Sequence, residues 1–206
     1  MAMGISERKE REKLEMRKRI LDAAMTMFLV DGYDKTSIRN IADKIEYSPA
    51  TIYLYFKDKD ELLYEVQREA FMQLEAAFKR DITSTDPLEQ LRQICRSYVK
   101  FGMNNTELYD LMFIIRAPMN VVEEKEMWEN GNDCFDTLLR IMKGCIDEGL
   151  IKYRDVMIGA LSVWSMTHGL VSLYIRCRIK VMEMSEADVN NAIDASIEEF
   201  LRVISN

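Results

Sequence analysis

Apolar positions along this chain recur at steps of three and four for most of its length, the spacing that puts them on one face of an α-helix. From about Glu7 to Val30 the stripe runs through Leu14, Ile20 or Leu21, Ala24 and Phe28, and Gly32 stands where a helix C-cap belongs. In "KTSIRNIADKI", Thr36 or Ser37 is placed to cap a helix of about two turns whose apolar stripe is Ile38, Ile41, Ala42 and Ile45. A tight turn at "EYS" follows. Ser48 then caps a third helix with Pro49 at its first position, where the missing N–H costs nothing. Ile52 and Phe56, four apart, share a face of this helix and are expected to pack on Ile38, Ile41 and Ile45. Its other face carries Pro49, Ala50, Thr51, Tyr53, Leu54 and Tyr55.

Further along, Asp58 and Glu61 open a longer helix reaching Lys79 or Arg80, and "TSTDPLEQ" reads as a linker with Asp86 as cap and Pro87 as first helical residue. Helices are then predicted near 87–103 and 105–115, with a break at "RAPMN", and near 122–148, 154–182 and 186–204. Gly149 closes the third of these and Ser185 opens the last, whose stripe is Val189, Ile193, Ser196 or Ile197, Phe200 and Ile204. With few glycines or prolines to interrupt these patterns, the fold class is all-α, with about nine helices. The functional boundary falls near residue 60: residues 1–60 form the N-terminal arm and short helices, residues 61–206 the rest, and the fourth helix joins them.

Charge changes the picture. The net charge of −7 argues against a nucleic-acid partner until its distribution is examined. Residues 1–60 carry 12 basic against 11 acidic side chains, residues 61–206 carry 16 against 24, and residues 8–19 alone hold seven basic against three acidic. A relatively basic end on an acidic chain fits a protein that meets phosphate at one end only, although mixed charges on a solvated helix account for it equally. Two short helices joined by a tight turn, the second apolar inside and hydroxyl-rich outside, make the helix-turn-helix pattern. Its Thr and Tyr hydroxyls suit phosphate oxygens, and Leu54 suits a thymine methyl.

The stretch "TSIRNIADKIEYSPATIYLYFKDKDELL" resembles the DNA-binding domain of the TetR family of transcriptional regulators. The family pattern falls on Thr36, Ile41 with Ala42, Thr51, Tyr53, Tyr55 with Phe56, and Lys59, and upstream "RILDAAMTMFLVDGYDKTS" resembles the family's first helix and turn. The resemblance implies a homodimer on a pseudopalindromic double-stranded DNA operator, and a C-terminal helical domain that dimerises and binds a small-molecule effector. Carried over by position, Arg39 and Tyr53 meet bases or nearby phosphates, Thr51, Tyr55 and Lys59 meet phosphates, and Pro49, Ala50 and Leu54 lie against the groove; Thr36, Ser37 and Ser48 complete the expected DNA-binding set. One departure stands out. Glu46 and Tyr47 occupy the turn where the family has Gly and a small aliphatic residue, which predicts a looser or differently bent turn. Past residue 85 the resemblance weakens, and "SVWSMTHGLVSLY" is similar to a Trp-x-x-x-His-Gly pattern of one subgroup, here Trp164, His168 and Gly169.

For an effector pocket the candidates are Phe71, Phe78, Tyr109, Phe113, Trp128, Phe135 and Trp164 as apolar walls, with Arg116 as a counter-ion and His168 as a polar lining; ordinary core packing explains the aromatics equally. The dimer interface is assigned to Val189, Ile193, Ser196 and Phe200. With one histidine and no paired nucleophile, neither an enzyme nor a metal or other cofactor is expected. Cys95, Cys134, Cys145 and Cys177 are too dispersed for a zinc or redox motif and read as buried thiols. No apolar run approaches the roughly 20 residues of a membrane span, so no membrane is expected and the cytoplasm is the default location. The rival reading is an architectural or weakly specific DNA-binding protein that has no effector.

Overall fold

Caps written into the sequence set where the helices begin. In the computed structural model, which describes residues 5–115 and 131–206, the helices are α1 (Ile5–Val30), α2 (Ile38–Lys44), α3 (Pro49–Tyr53), α4 (Lys59–Asp81), α5 (Pro87–Asn104), α6 (Thr106–Tyr109), α7 (Asn132–Asp147), α8 (Val156–Ile175) and α9 (Glu186–Ile204). No strand occurs among the described residues. Ser37 and Asn40 close a reciprocal capping box at α2, Ser48 accepts from the Thr51 amide at 3.3 Å, and Asp86 accepts from that of Glu89 at 2.7 Å. Ser185 does the same for Asp188 at 3.2 Å. Gly32 and Gly149 take the positive φ, 86° and 66°, that ends the helices before them.

Two elements differ from expectation. The helix predicted over 105–115 divides into α6 and a π-helical turn, Asp110–Ile114. The helix predicted over 154–182 ends at Ile175, because Cys177 adopts the left-handed conformation at φ 54° and a 3₁₀ turn, Arg178–Met182, runs on to a second left-handed residue, Glu183. Of the helix predicted over 122–148 the described part is α7, and "RAPMN" lies outside the described residues, as do Arg116 and Trp128.

The chain forms two compact units. One gathers the described residues up to Ala70 together with 110–115. Its core joins Ile20, Ala24 and Phe28 of α1, Ile38, Ile41 and Ala42 of α2, Ile52 of α3, Phe56, and Leu62, Leu63 and Val66 of α4 to Leu111. Ile52 and Phe56 are 0% and 1% exposed, as their four-residue spacing predicts. Within this unit the buried carboxylate of Glu65 draws Arg17 from α1 (2.9 Å) and Arg68 (2.7 Å), and the Arg17 guanidinium lies 5.0 Å from the Phe56 ring centroid. Both arginines reach Glu65 Oε2 at ion-pair distance but off the hydrogen-bonding angle. Gln67, buried on α4, donates to the Leu111 carbonyl in the π-helical turn at 2.7 Å.

The other unit holds residues 71–109 and 131–206, with α5, α7 and α8 packed on one another and α9 on α5. An antiparallel bridge between Ile151 and Ser205 fixes the segment after α9 beside the one before α8. Three expectations are corrected here. Ile193 is 4% exposed, because it lies with Ile197, Leu201 and Ile204 on the inward face of α9, so it belongs to this chain's own interior rather than to a dimer surface. Cys177 is exposed, while Cys95, Cys134 and Cys145 are buried. The third correction concerns α8. It is a 20-residue helix without a charged side chain, long and apolar enough by length and composition alone to cross a membrane. It buries Gly159, Ala160, Val163, Thr167 and Val171 on one face, whereas Met157, Ile158 and Leu161 are exposed.

The turn between α2 and α3 is not loosened by its unusual residues. Tyr47 N–H donates to the Ala42 carbonyl at 3.0 Å and Glu46 N–H to that of Asp43 at 3.2 Å, the paired bonds of a Schellman motif. Glu46 occupies the left-handed position of that motif at φ 63°, where a side chain costs roughly 1–2 kcal/mol. Replacing Glu46 by Gly removes this strain but raises the entropy of the unfolded chain. The expected balance is a gain of about 0.5–1 kcal/mol, read as a higher denaturant midpoint at unchanged m-value; a lower midpoint contradicts the strain.

Candidate nucleic-acid interface and interior polar network

Burying Ile52 and Phe56 turns the opposite side of α3 outward. Tyr53 and Leu54 are 55% and 78% exposed, Ser48 and Ala50 are exposed, and Pro49, Thr51 and Tyr55 are partly covered. Ser48 Oγ and Thr51 Oγ1 are 3.1 Å apart, so the cap also orients the threonine. Ser37 and Arg39, at the start of α2, are exposed. Thr36, expected in the same set, is 2% exposed, and its hydroxyl reaches the carbonyls of Gly32 at 2.9 Å and Met27 at 3.3 Å; it closes the α1–α2 connection and is not available to phosphate. Lys59 is half-buried. Its ammonium sits 3.9 Å from the ring centroid of Tyr33, whose hydroxyl donates to Asp60, and burial lowers its pKa. Burial and the Asp60 hydrogen bond together push the Tyr33 phenol upward. Tyr33 was not among the expected site residues; the Gly-Tyr pair before α2 was the signal for it.

The positive arm is more committed than its charge count suggests. Arg8 pairs with Glu12 at 2.8 Å, Arg11 with Glu15 at 3.5 Å and Lys18 with Asp22 at 3.2 Å, all exposed pairs one turn apart. Arg17 turns to Glu65, and Arg19 donates to the Ile45 carbonyl at 3.1 Å. Part of the basic excess of residues 8–19 therefore holds helices together.

Of the expected pocket residues, the structure brings Tyr109, Trp164, His168 and Phe135 together in the second unit, around a residue that sequence reasoning missed, Tyr98. Trp164 Nε1 donates to Tyr98 Oη at 3.2 Å, Tyr98 Oη lies 2.9 Å from Tyr109 Oη, and Tyr109 Oη lies 2.5 Å from His168 Nδ1. An indole N–H only donates. Tyr98 Oη therefore accepts from Trp164; it also lies 3.3 Å from His168 Nδ1, so either phenol can donate to that nitrogen when the imidazole is neutral with its hydrogen on Nε2. Burial pushes the Tyr98 phenol up to about 12 and lowers the pKa of His168. Gly102 on α5 makes room: a Cβ there would meet Val171 Cγ1 at 2.5 Å and the Tyr109 ring at 3.0 Å. Phe135 packs against Trp164 with ring centroids 5.8 Å apart. Phe78 is buried, Phe71 packs beside Gly131, and Phe113 belongs to the other compact unit. Tyr98 was legible as one of the inward positions of α5, with Leu91, Ile94 and Cys95, but periodicity does not show that its hydroxyl has partners.

Comparison with known proteins bears on both regions. Residues 20–66 match the model for bacterial regulatory proteins of the tetR family, and residues 91–200 match the tetracyclin repressor-like C-terminal domain. A protein of Haemophilus influenzae named as an uncharacterized HTH-type transcriptional regulator is 31% identical over 94 residues, 45% of this chain and 50% of its own. The HTH-type transcriptional regulator AcrR of Shigella flexneri is 26% identical over 150 residues, 69% of each chain. The chain thus spans half the length of the Haemophilus protein and about two thirds of the Shigella one. A solved structure of a protein of unknown function from Rhodococcus sp. RHA1 superposes with a TM-score of 0.76 at 24% identity, covering 92% of this chain and 95% of that one, which is a likeness of fold.

The neutral state of His168 makes stability depend on pH. Its folded pKa lies below the ordinary 6.5, so the unfolded chain takes up the proton first and the fold loses stability as pH falls through that value. Denaturant unfolding at pH values from roughly 7.5 to 5.5 should show a wild-type stability falling faster than that of His168→Gln. Parallel profiles of the two proteins would contradict a half-buried, neutral His168.

Proposed function

Because the chain belongs to the TetR family of bacterial regulatory proteins, we propose that it is a repressor that binds a two-fold-symmetric operator as a homodimer and is released by a small, largely apolar effector. The family consists of transcriptional regulators and not of enzymes. The observation that carries the reading is the division of α3 and the turn that continues it into a core side, Ile52 with Phe56, and an outward side, Tyr53 with Leu54. In this reading Tyr53 and Arg39 meet base edges or adjacent phosphates, Ser37, Ser48, Thr51, Tyr55 and Lys59 meet phosphates, and Pro49, Ala50 and Leu54 line the groove, with the two α3 copies about 34–36 Å apart. The cytoplasm, where the operator is, is the matching location.

Dimerisation is assigned to the exposed side of α8, with Met157, Ile158 and Leu161, together with exposed Ser196 and partly covered Val189 and Phe200 on α9. Exposed apolar side chains gathered on one side of a helix are what an obligate interface covers. The effector reading is supported by the Tyr98–Tyr109–His168–Trp164 network, which sets a few convergent polar groups among apolar ones, as small-molecule sites do. Coupling is assigned to α4, which begins at Lys59 and continues to Asp81.

Two variants separate these parts. Selection from random duplex DNA should yield a two-fold-symmetric sequence preferred over scrambled duplex by at least about a thousandfold; equal binding to every duplex would favour an architectural protein. On that operator Tyr53→Ala should weaken binding by about 1–3 kcal/mol while sedimentation still reports a dimer. Leu161→Asp should give the converse, a monomer by sedimentation whose helical circular dichroism is retained; a dimer surviving in that variant would move the interface elsewhere.

A further inference from the structure

A single side chain reaches both neighbours of Glu46, the residue in the left-handed conformation. Arg19 Nη2 donates to the carbonyl of Ile45, the C-cap of α2, at 3.1 Å, and the same guanidinium lies 5.3 Å from the centroid of the Tyr47 ring. The two backbone bonds of the Schellman motif end on Ala42 and Asp43, so the carbonyl of Ile45 falls to Arg19. Guanidinium suits this position because it donates in its plane while its face stacks on an aromatic ring; an ammonium offers a point charge and no such plane.

We propose that Arg19 is a positioning residue for DNA reading, a clamp across the α2–α3 turn that does for Glu46 what a glycine would do by itself. The proposal rests on the reading that α3 enters the groove. With only five residues, Pro49–Tyr53, α3 has few backbone bonds of its own, so its direction follows the turn that delivers it and the anchors Ile52 and Phe56. Left-handed backbone is disfavoured for glutamate, so without the clamp the turn samples other conformations, and Tyr53 and Leu54, on the far side of α3 from the anchors, move with it. Arg19 lies in the most basic stretch of the chain, where a phosphate contact is the competing explanation. Arg19 is exposed, but the geometry favours the turn-holding role because its guanidinium engages both the Ile45 carbonyl and the Tyr47 ring.

The two roles differ in salt dependence. A phosphate contact releases counterions, so its loss lowers the slope of log affinity against log salt by about one per contact, on specific and scrambled duplex alike. A positioning residue affects the specific sequence alone. With the full chain and the selected operator, Arg19→Gln should lose roughly tenfold in operator affinity, the worth of one charge-assisted hydrogen bond, with an unchanged salt slope and unchanged binding to scrambled duplex. Arg19→Lys should not rescue it. Tyr47→Leu, which removes only the stacked half of the clamp, should lose less and serves if Arg19→Gln does not fold. The decisive variant is Arg19→Gln combined with Glu46→Gly, which should recover most of the lost affinity because glycine accepts the left-handed backbone unaided. A slope that falls on both duplexes, an Arg19→Gln affinity equal to wild type, or a failure of Glu46→Gly to restore binding would each overturn the clamp. Wild type with no preference for any duplex would instead overturn the operator reading, and the clamp's role in DNA recognition with it.

Discussion

The DNA-facing end of this chain depends on the burial of Ile52 and Phe56. A helix as short as Pro49–Tyr53 does not form in isolation, since nucleation costs more than its few backbone bonds return. What holds it is the apolar cluster into which those two side chains drop, walled by Ile38, Ile41 and Ile45 below and by α1 and α4 at the sides. The outward direction of Tyr53 and Leu54 is a consequence of that insertion. Any change that loosens the cluster acts on DNA recognition without touching a single expected DNA contact.

Most of this arrangement is legible in the sequence because its signals are local. Ser37, Ser48, Asp86 and Ser185 announce helix starts within three residues of the amides they cap, and Gly32 and Gly149 announce the ends. The features that were not legible are of two kinds. Some depend on long-range pairing: Arg17 and Arg19 read as free positive charge until their partners, Glu65 and the Ile45 carbonyl, are seen 48 and 26 residues away. Others depend on which face of an apolar helix is covered. Ile193 and Leu161 are equally plausible at an interface by composition, but α9 turns Ile193 inward whereas α8 leaves Leu161 exposed. The early end of α8 belongs to the first kind of failure at short range, since nothing in the residue type of Cys177 marks it for a left-handed backbone.

The two compact units use polar groups in opposite ways. In the N-terminal unit, hydroxyl, guanidinium and amide side chains fasten helix ends and turns: Thr36 to Gly32, Arg19 to Ile45, Gln67 to Leu111. In the other, Tyr98, Tyr109, His168 and Trp164 gather hydroxyl, imidazole and indole groups into one hydrogen-bonded cluster. A cluster of this sort is sensitive to any molecule that offers a better partner to one of its members.

The chain contains a single histidine, and it belongs to that network. The imidazole ring therefore gives one set of side-chain resonances in a nuclear magnetic resonance spectrum, assigned without mutagenesis or labelling schemes. Its chemical shifts report tautomer and hydrogen-bonding state, so compound libraries can be screened by watching one ring, before any operator is known.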